Sequence, residues 1–186
     1  MPVESKPFEL GFPCPDFRLP SASGADRRAV ARDDFADAPL LGVFFYCNHC
    51  PYAKAIEGRL LELDRDYRDR GFRFVAISSN DAATYPDDSF ESMTQRAAER
   101  RYGFPYLYDE TQAVARAFGA VCTPDLYVFD RERKLAYHGR LDDSPMDASK
   151  VKRRELREAV DALLEGRAPS AAQNPSIGCS IKWKHG

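Results

Sequence analysis

The stretch FFYCNHCPYAKA, residues 44–55, joins an apolar segment to a helical pattern and thereby determines the fold. The apolar residues that lead into it form a continuous run with the length of a buried strand. After it, apolar residues recur with helical spacing from Ile56 to Tyr67, which predicts an amphipathic helix. Cys47 and Cys50 therefore lie where a strand passes directly into a helix.

The rest of the chain alternates between strand and helix patterns. Two short strands around a turn at Ser23-Gly24 predict a hairpin near the N-terminus. Crossovers of about a dozen or more residues make the central strands parallel, and a late hairpin adds an antiparallel pair. We therefore predict an α/β fold with a mixed central sheet and helices on both faces. The further predicted strands cover residues 72–78, 106–108, 125–130 and 135–139, and the later helices begin near residues 88, 112 and 156.

Length and composition favour one domain in a soluble protein. The chain has 186 residues, of which 44% are hydrophobic and 30% charged, so a single core is the simplest expectation. We divide the domain 1–186 into an N-terminal extension (1–38), a core (39–166) and an irregular C-terminal tail (167–186). A net charge of −2 gives no reason to expect nucleic acid or a membrane as partner. The N-terminus lacks the apolar core of a signal peptide, so we expect a cytoplasmic protein.

The spacing of Cys47 and Cys50 at a helix start is typical of a redox couple. Unpaired N–H groups and the helix dipole stabilise a thiolate there, and thiols in such motifs have pKa values lowered to roughly 3.5–7.5. We expect Cys47, nearer the strand end and more exposed, to attack a disulfide. Cys50 would lie one helical turn further in and resolve the mixed disulfide. A protonated His49 between them would favour the thiolate further.

The sequence is also compatible with two other roles of the cysteines. The pair could be two buried thiols, although the motif is more specific than that. A zinc site needs four ligands, and only convergence of Cys122 and Cys179 on the first pair would supply them. On that reading the protein would be a non-enzymatic metal-binding protein. We predict no metal and no cofactor.

Two motifs together resemble the thioredoxin-like superfamily. FFYCNHCPY looks like its active site, and VCTPDLYVFD, with Thr123-Pro124 before a strand, resembles its cis-proline loop. The whole chain, from CPDFRLPSASG to PSIGCSIKW, is similar to the peroxiredoxin-related proteins described as AhpC/TSA-type or thiol-disulfide isomerase-like. The resemblance implies a thioredoxin-like fold in which Pro124 is cis and faces Cys47. It also implies that the Thr123 backbone pairs with an extended substrate strand.

The chain departs from thioredoxin within the motif. Tyr46 stands where thioredoxin has Trp, and Asn48-His49 replace Gly-Pro. The position of thioredoxin's buried acid falls on Leu41, so Glu57 or a water would have to accept the proton of Cys50. The polar segment SSNDAATYPDD, residues 78–88, is a candidate rim of the site.

The site also has one trait of peroxiredoxins. Cys50-Pro51 matches their peroxidatic Cys-Pro pair, and Arg140 is a candidate for their thiolate-stabilising arginine. Cys47 stands where they carry Thr, which favours disulfide exchange over peroxide reduction. A peroxidase with Cys50 as the peroxidatic residue is the alternative function.

The predicted activity is therefore that of a thiol-disulfide oxidoreductase that reduces, forms or isomerises disulfides. Its partners would be protein or small-molecule disulfides and an electron-donating reductase or thiol. Cys122 and Cys179 are candidate auxiliary thiols, because Cys122 directly precedes Thr123 and the tail that carries Cys179 has Ile181 and Trp183 to bury. Cys14 is expected to be incidental.

Overall fold

The computed structural model describes residues 2–24 and 26–184. Within these residues the β-strands are β1 Pro2–Glu4, β2 Arg18–Pro20, β3 Ala29–Ala31, β4 Leu40–Phe45, β5 Phe72–Ser78, β6 Tyr106–Tyr108, β7 Cys122–Thr123, β8 Asp125–Phe129, β9 Leu135–Gly139 and β10 Ile177–Ser180. The α-helices are α1 Pro51–Tyr67, α2 Phe90–Arg100, α3 Ala113–Ala117 and α4 Glu155–Leu164. No helix in the described ranges is both long and apolar enough to cross a membrane.

The central sheet has five strands in the order β6-β5-β4-β8-β9. β4, β5 and β6 are parallel, whereas β8 runs antiparallel to β4 and β9 antiparallel to β8. Phe45, the last residue of β4, pairs with Ile77 on one side and with Asp125 on the other. The predicted mixed sheet is confirmed. Because β4 is its central strand, the residues after Phe45 follow the carboxyl end of that strand, in the middle of the sheet.

Both faces of this sheet are covered. Along β4, Leu40 and Phe44 pack into one buried cluster with residues of α1, α2 and α4. Leu41, Val43 and Phe45 pack into a second cluster with α3 and with the N-terminal segment. Every residue of β4 is buried, as expected for a strand that has helices or loops on both faces. The predicted placement of helices on both faces is confirmed.

The N-terminal extension contains the predicted hairpin. β2 and β3 pair antiparallel, with Arg18 opposite Ala31 and Pro20 opposite Ala29. Each strand has only three residues, so the pair depends on the domain beneath it for stability. Val30 in β3 is buried and packs in the second cluster.

The C-terminal tail is more ordered than predicted. Its residues Ile177–Ser180 form β10, which lies between β1 and β7 in a separate three-stranded sheet. Both pairings are antiparallel, and Cys179 is opposite Pro2 on one side and opposite Thr123 on the other. The sequence pattern missed this strand because IGCS has no alternation of apolar and polar residues and its partner strands are very short.

The start of α2 also differs from the prediction. The sequence predicted that this helix begins near Asp88. Instead Ser89 is the N-cap, and its hydroxyl oxygen accepts a hydrogen bond from the Ser92 N–H at 3.2 Å. The carboxylate of Asp88 is completely buried and turned away from α2, which leaves it available to another part of the molecule.

Candidate active site

Cys47 and Cys50 lie in the turn between β4 and α1. Cys50 is the N-cap of α1, with extended backbone angles of φ −69° and ψ 125°, and the helix begins at Pro51. A proline restricts the residue before it to extended conformations, and its missing N–H costs nothing in the first helical turn. Cys50 thus caps the helix. The sequence had suggested instead that Cys50 lies one turn inside the helix.

The loop that carries Thr123 and Pro124 meets both sulfurs. The Thr123 hydroxyl lies 3.1 Å from Cys47 Sγ, and the Cys50 thiol group lies 3.2 Å from the Thr123 carbonyl oxygen. The Thr123–Pro124 peptide bond is cis. Both cysteines are 0% exposed, so the expectation that Cys47 is the more exposed thiol was wrong. The two sequence motifs form a single buried site.

Of the two auxiliary cysteines, Cys179 joins the site and Cys122 does not contact its sulfurs. Cys179 Sγ lies 2.7 Å from Cys50 Sγ, and Cys179 is half-buried. The Cys122 thiol instead donates to the Pro124 carbonyl oxygen at 3.7 Å. Burial raises the pKa of Cys122 far above its usual range, as expected for an inert structural thiol.

The groups around the sulfurs favour a thiolate at Cys50. The neighbouring Cys47 thiol has the largest effect, and the Cys179 thiol, whose sulfur is 2.7 Å away, and the nearby N–H groups of Ala53 and Cys179 add to it. Together they lower the pKa of Cys50 to about 5 against the opposing effect of burial. The hydrogen bond to Cys50, burial and the nearby Asp88 carboxylate raise the pKa of Cys47. The directions of these two shifts favour Cys50 as the attacking thiolate, whereas the sequence predicted Cys47.

A pH titration of thiolate ultraviolet absorbance checks this assignment. Thiolate absorbance appears as the pH rises through the pKa, so the reduced protein should gain one thiolate near pH 5. Cys47→Ala removes the thiol with the largest effect on the pKa of Cys50 and should shift this transition to higher pH, whereas Cys50→Ala should abolish it. A first transition at about 8.5, the pKa of an unperturbed cysteine, would contradict the assignment.

Asp88, which sequence reasoning did not assign to the site, holds the active-site turn in place. One carboxylate oxygen accepts the N–H groups of Asn48 at 2.7 Å and of His49 at 3.3 Å. The other accepts the Asn80 amide at 2.8 Å and the His49 ring nitrogen Nδ1. Asp88 is the last residue of the polar segment 78–88, which the sequence predicted as the rim of the site. The sequence did not indicate that Asp88 itself contacts the active-site turn.

The predicted neighbours of the cysteines serve to shape the turn. The His49 ring stacks on Tyr85, with ring centres 5.1 Å apart, and its Nδ1 pairs with Asp88. The Asn48 side chain donates to the Asp87 carbonyl oxygen and accepts from the Tyr106 hydroxyl, at 2.8 and 3.1 Å. Tyr46, also buried, packs edge to face against Tyr106 at 5.7 Å.

One cluster of side chains has the composition of a metal site, but its contacts are those that hold the active-site turn in place. Cys47 Sγ, a His49 ring nitrogen and an Asp88 oxygen lie within 4.8 Å of one another. The Asp88 carboxylate already accepts four hydrogen bonds, which occupy the lone pairs that a cation would need. Cys122, which the zinc hypothesis required as a ligand, faces the Pro124 carbonyl instead.

Two further residues predicted to act at the site are engaged elsewhere. The Glu57 carboxylate binds Arg96 through two hydrogen bonds of 2.8 Å and also pairs with Arg100 at 2.9 Å, so it is not poised to accept the proton of Cys50. The Arg140 guanidinium is paired with Glu155.

The chain is similar to one protein family and to several proteins of known structure. The model of the AhpC/TSA family matches residues 10–138. An uncharacterized conserved protein from Geobacillus kaustophilus is 49% identical, covers 99% of this chain and 97% of its own, and superposes with a TM-score of 0.93. A hypothetical protein from Sinorhizobium meliloti 1021 is 43% identical over 98% of this chain and 99% of its own, with a TM-score of 0.92.

A more distant likeness identifies the fold alone. A putative thiol:disulfide interchange protein from Chlorobium tepidum is 19% identical, with 86% of this chain and 98% of its own covered and a TM-score of 0.61. A search of the curated proteins gave no match. The thioredoxin-like fold and the AhpC/TSA resemblance inferred from the motifs are confirmed.

Proposed function

The chain belongs to the AhpC/TSA family, and from that premise we propose that it is a thiol-disulfide oxidoreductase that uses Cys50 and Cys47. The observation that carries the proposal is the Cys50 sulfur at the N-cap of α1, 2.7 Å from the Cys179 sulfur, where the neighbouring thiols of Cys47 and Cys179 lower the pKa of Cys50. Such an environment stabilises a thiolate, and the thiolate is the nucleophile in disulfide exchange. Cys47, the nearest thiol to Cys50 in the motif and close enough to shift its pKa, would resolve the product.

The reaction runs in two exchange steps. The Cys50 thiolate attacks one sulfur of the substrate disulfide, a Cys50–substrate bond forms, and the other substrate sulfur leaves as a thiolate. Cys47 then loses its proton and attacks Cys50, the Cys47–Cys50 bond forms, the Cys50–substrate bond breaks, and the second substrate sulfur leaves as a thiolate that takes up the proton. Once Cys50 is bonded to substrate it no longer carries the charge that disfavours ionisation of Cys47, and the Thr123 hydroxyl at 3.1 Å stabilises the new thiolate. The dithiol loses two electrons and the substrate gains them.

Burial of the site favours small or flexible disulfides as substrates. Both sulfurs are fully buried, and the edge of β7 that a substrate strand would use is already paired with β10. A folded protein disulfide cannot reach Cys50 without displacement of β10. The electron donor that restores the dithiol is a thiol or a thiol-based reductase.

Peroxide reduction is the second candidate, and one feature favours it. Cys50 combines a lowered pKa with the Cys50-Pro51 sequence, and Cys47 could resolve a Cys50 sulfenic acid as a disulfide. The arginine expected for this chemistry, Arg140, is paired with Glu155. We therefore rank disulfide exchange first.

Parallel assays of the two reactions test the proposal. The reduced protein is given either hydroxyethyl disulfide or hydrogen peroxide, with dithiothreitol as electron donor, and consumption of each oxidant is followed. We expect catalysed reduction of the disulfide and little catalysed consumption of peroxide. Peroxide consumption by a protein that leaves the disulfide unreduced would overturn the proposal in favour of the peroxidase.

A further inference from the structure

The C-terminal strand occupies the place that the family resemblance assigns to a substrate. β10 pairs antiparallel with β7, which puts Cys179 opposite Thr123 and Ser180 opposite Cys122. The fit is close at Gly178, where an added Cβ would lie 1.9 Å from the Thr123 carbonyl oxygen. Only glycine permits this approach. The chain thus presents one of its own strands, with a cysteine in it, to the redox site.

Cys179 is the sulfur that connects the buried pair with the surface. Its Sγ is 2.7 Å from Cys50 Sγ, close to the S–S bond length of about 2.03–2.05 Å, so a small movement suffices for bond formation. Cys47 and Cys50 are fully buried, whereas Cys179 is half-buried. A reductant from solution therefore meets Cys179 first.

We propose that Cys179 is a third redox thiol, which transfers the disulfide from the buried Cys47–Cys50 pair to a dithiol reductant. The inference rests on the proposed function, since that reaction generates the Cys47–Cys50 disulfide. The Cys179 thiolate attacks Cys50, the Cys50–Cys179 bond forms, the Cys47–Cys50 bond breaks, and Cys47 leaves as a thiolate that takes up the proton lost by Cys179. No net oxidation or reduction accompanies this step.

The external reductant completes the cycle. One of its thiolates attacks the half-buried Cys179 sulfur, and Cys50 leaves as a thiolate, the form that its lowered pKa favours. The second thiol of the reductant then attacks the mixed disulfide and releases Cys179 as a thiol. The reductant loses two electrons and becomes a disulfide, and Cys47, Cys50 and Cys179 are all reduced again.

The charge on Cys50 controls when Cys179 becomes reactive. In the reduced protein, burial first and then the neighbouring Cys50 raise the pKa of Cys179 to about 11. When Cys50 enters a disulfide it loses its negative charge, so its hydrogen bond and its charge no longer oppose ionisation of Cys179. Lys182, which favours the thiolate, remains. Cys179 is thus protected in the reduced state and activated when Cys50 is oxidised.

Two variants that lack Cys47 test the role of Cys179. Reduced Cys47→Ser and Cys47→Ser/Cys179→Ser are treated with hydroxyethyl disulfide, and the mercaptoethanol adduct on Cys50 is followed by mass spectrometry under non-reducing conditions. We expect the adduct to be lost at least about tenfold faster in the single variant, where Cys179 can displace it, than in the double variant, because the Cys50 and Cys179 sulfurs are held together. Peptide mapping should then show Cys50 linked to Cys179. Cys47→Ser/Cys14→Ala is the matched control and should behave as Cys47→Ser does.

The outcomes separate this inference from the proposed function. An adduct on Cys50 that persists equally in both variants shows that Cys50 exchanges disulfides but that Cys179 does not take part, which overturns the inference alone. Absence of an adduct on Cys50 in the double variant overturns both. A Cys50–Cys179 peptide in the single variant, with Cys122 unmodified, supports both.

Discussion

Replacement of Cys50 by serine is expected to abolish disulfide turnover, with a loss on the order of 10³-fold or more, because the nucleophile that forms the covalent intermediate is gone. A serine hydroxyl does not ionise near neutral pH and cannot exchange with a disulfide. The measurement is the steady-state reduction of hydroxyethyl disulfide with dithiothreitol as donor. Cys47→Ser should retain part of the activity, because the nearby Cys179 sulfur, 2.7 Å from Cys50, can resolve the intermediate.

Cys14→Ala provides the matched control for this loss. Cys14 is buried in the N-terminal segment, where burial raises its pKa to about 12, so it supplies no thiolate. The variant should keep the turnover of the parent protein. Retention of activity by Cys50→Ser, or loss of activity in Cys14→Ala with its fold intact, would contradict the assignment of Cys50 as the nucleophile.

Removal of the Asp88 carboxylate is expected to destabilise the fold by about 3 kcal/mol or more, since buried donors lose their acceptor. Asp88→Ala leaves the N–H groups of Asn48 and His49 and the side chain of Asn80 without the partners they have in the parent protein. Urea denaturation measures the effect as a lower midpoint with an unchanged slope. The loss should exceed that of an ordinary surface substitution.

Asp87→Ala is the control for Asp88→Ala. Asp87 is exposed, and its backbone carbonyl, which the substitution keeps, is the atom that accepts from Asn48. Its free energy of unfolding should stay within about 0.5 kcal/mol of the parent value. Equal and small changes in the two variants would show that the active-site turn does not depend on Asp88.

Most of the fold could be predicted because the residues within each element indicate whether it is a strand or a helix. β4 is a continuous apolar run and the helix α1 has apolar residues at helical spacing, so each element follows from the sequence around it. β10 could not be predicted in this way. Its four residues carry no periodic pattern, and its partners β1 and β7 lie far away in the chain, so it exists only through long-range pairing.

The residues of the site also differ in whether the neighbouring sequence indicates their role. Cys47, Cys50 and Thr123 could be predicted because they belong to short motifs whose chemistry can be read from neighbouring residues. The contact of Asp88 with the turn depends on how residues 78–88 fold back, and no local pattern encodes it. The proposed order of reactivity differs from the sequence-based one for a similar reason, since the pKa of Cys50 depends on Cys47 and Cys179, whose positions depend on tertiary structure.

The identity of the attacking sulfur is the central claim, and a trapped intermediate tests it most directly. Cys47→Ser/Cys179→Ser retains Cys50 but lacks both thiols that can resolve it, whereas Cys50→Ser/Cys179→Ser retains Cys47. Both variants are exposed to hydroxyethyl disulfide near neutral pH, and the adduct is located by intact mass and peptide mapping. We predict rapid adduct formation on Cys50 in the first variant and little on Cys47 in the second. Rapid modification of Cys47, with Cys50 unmodified, would contradict the account.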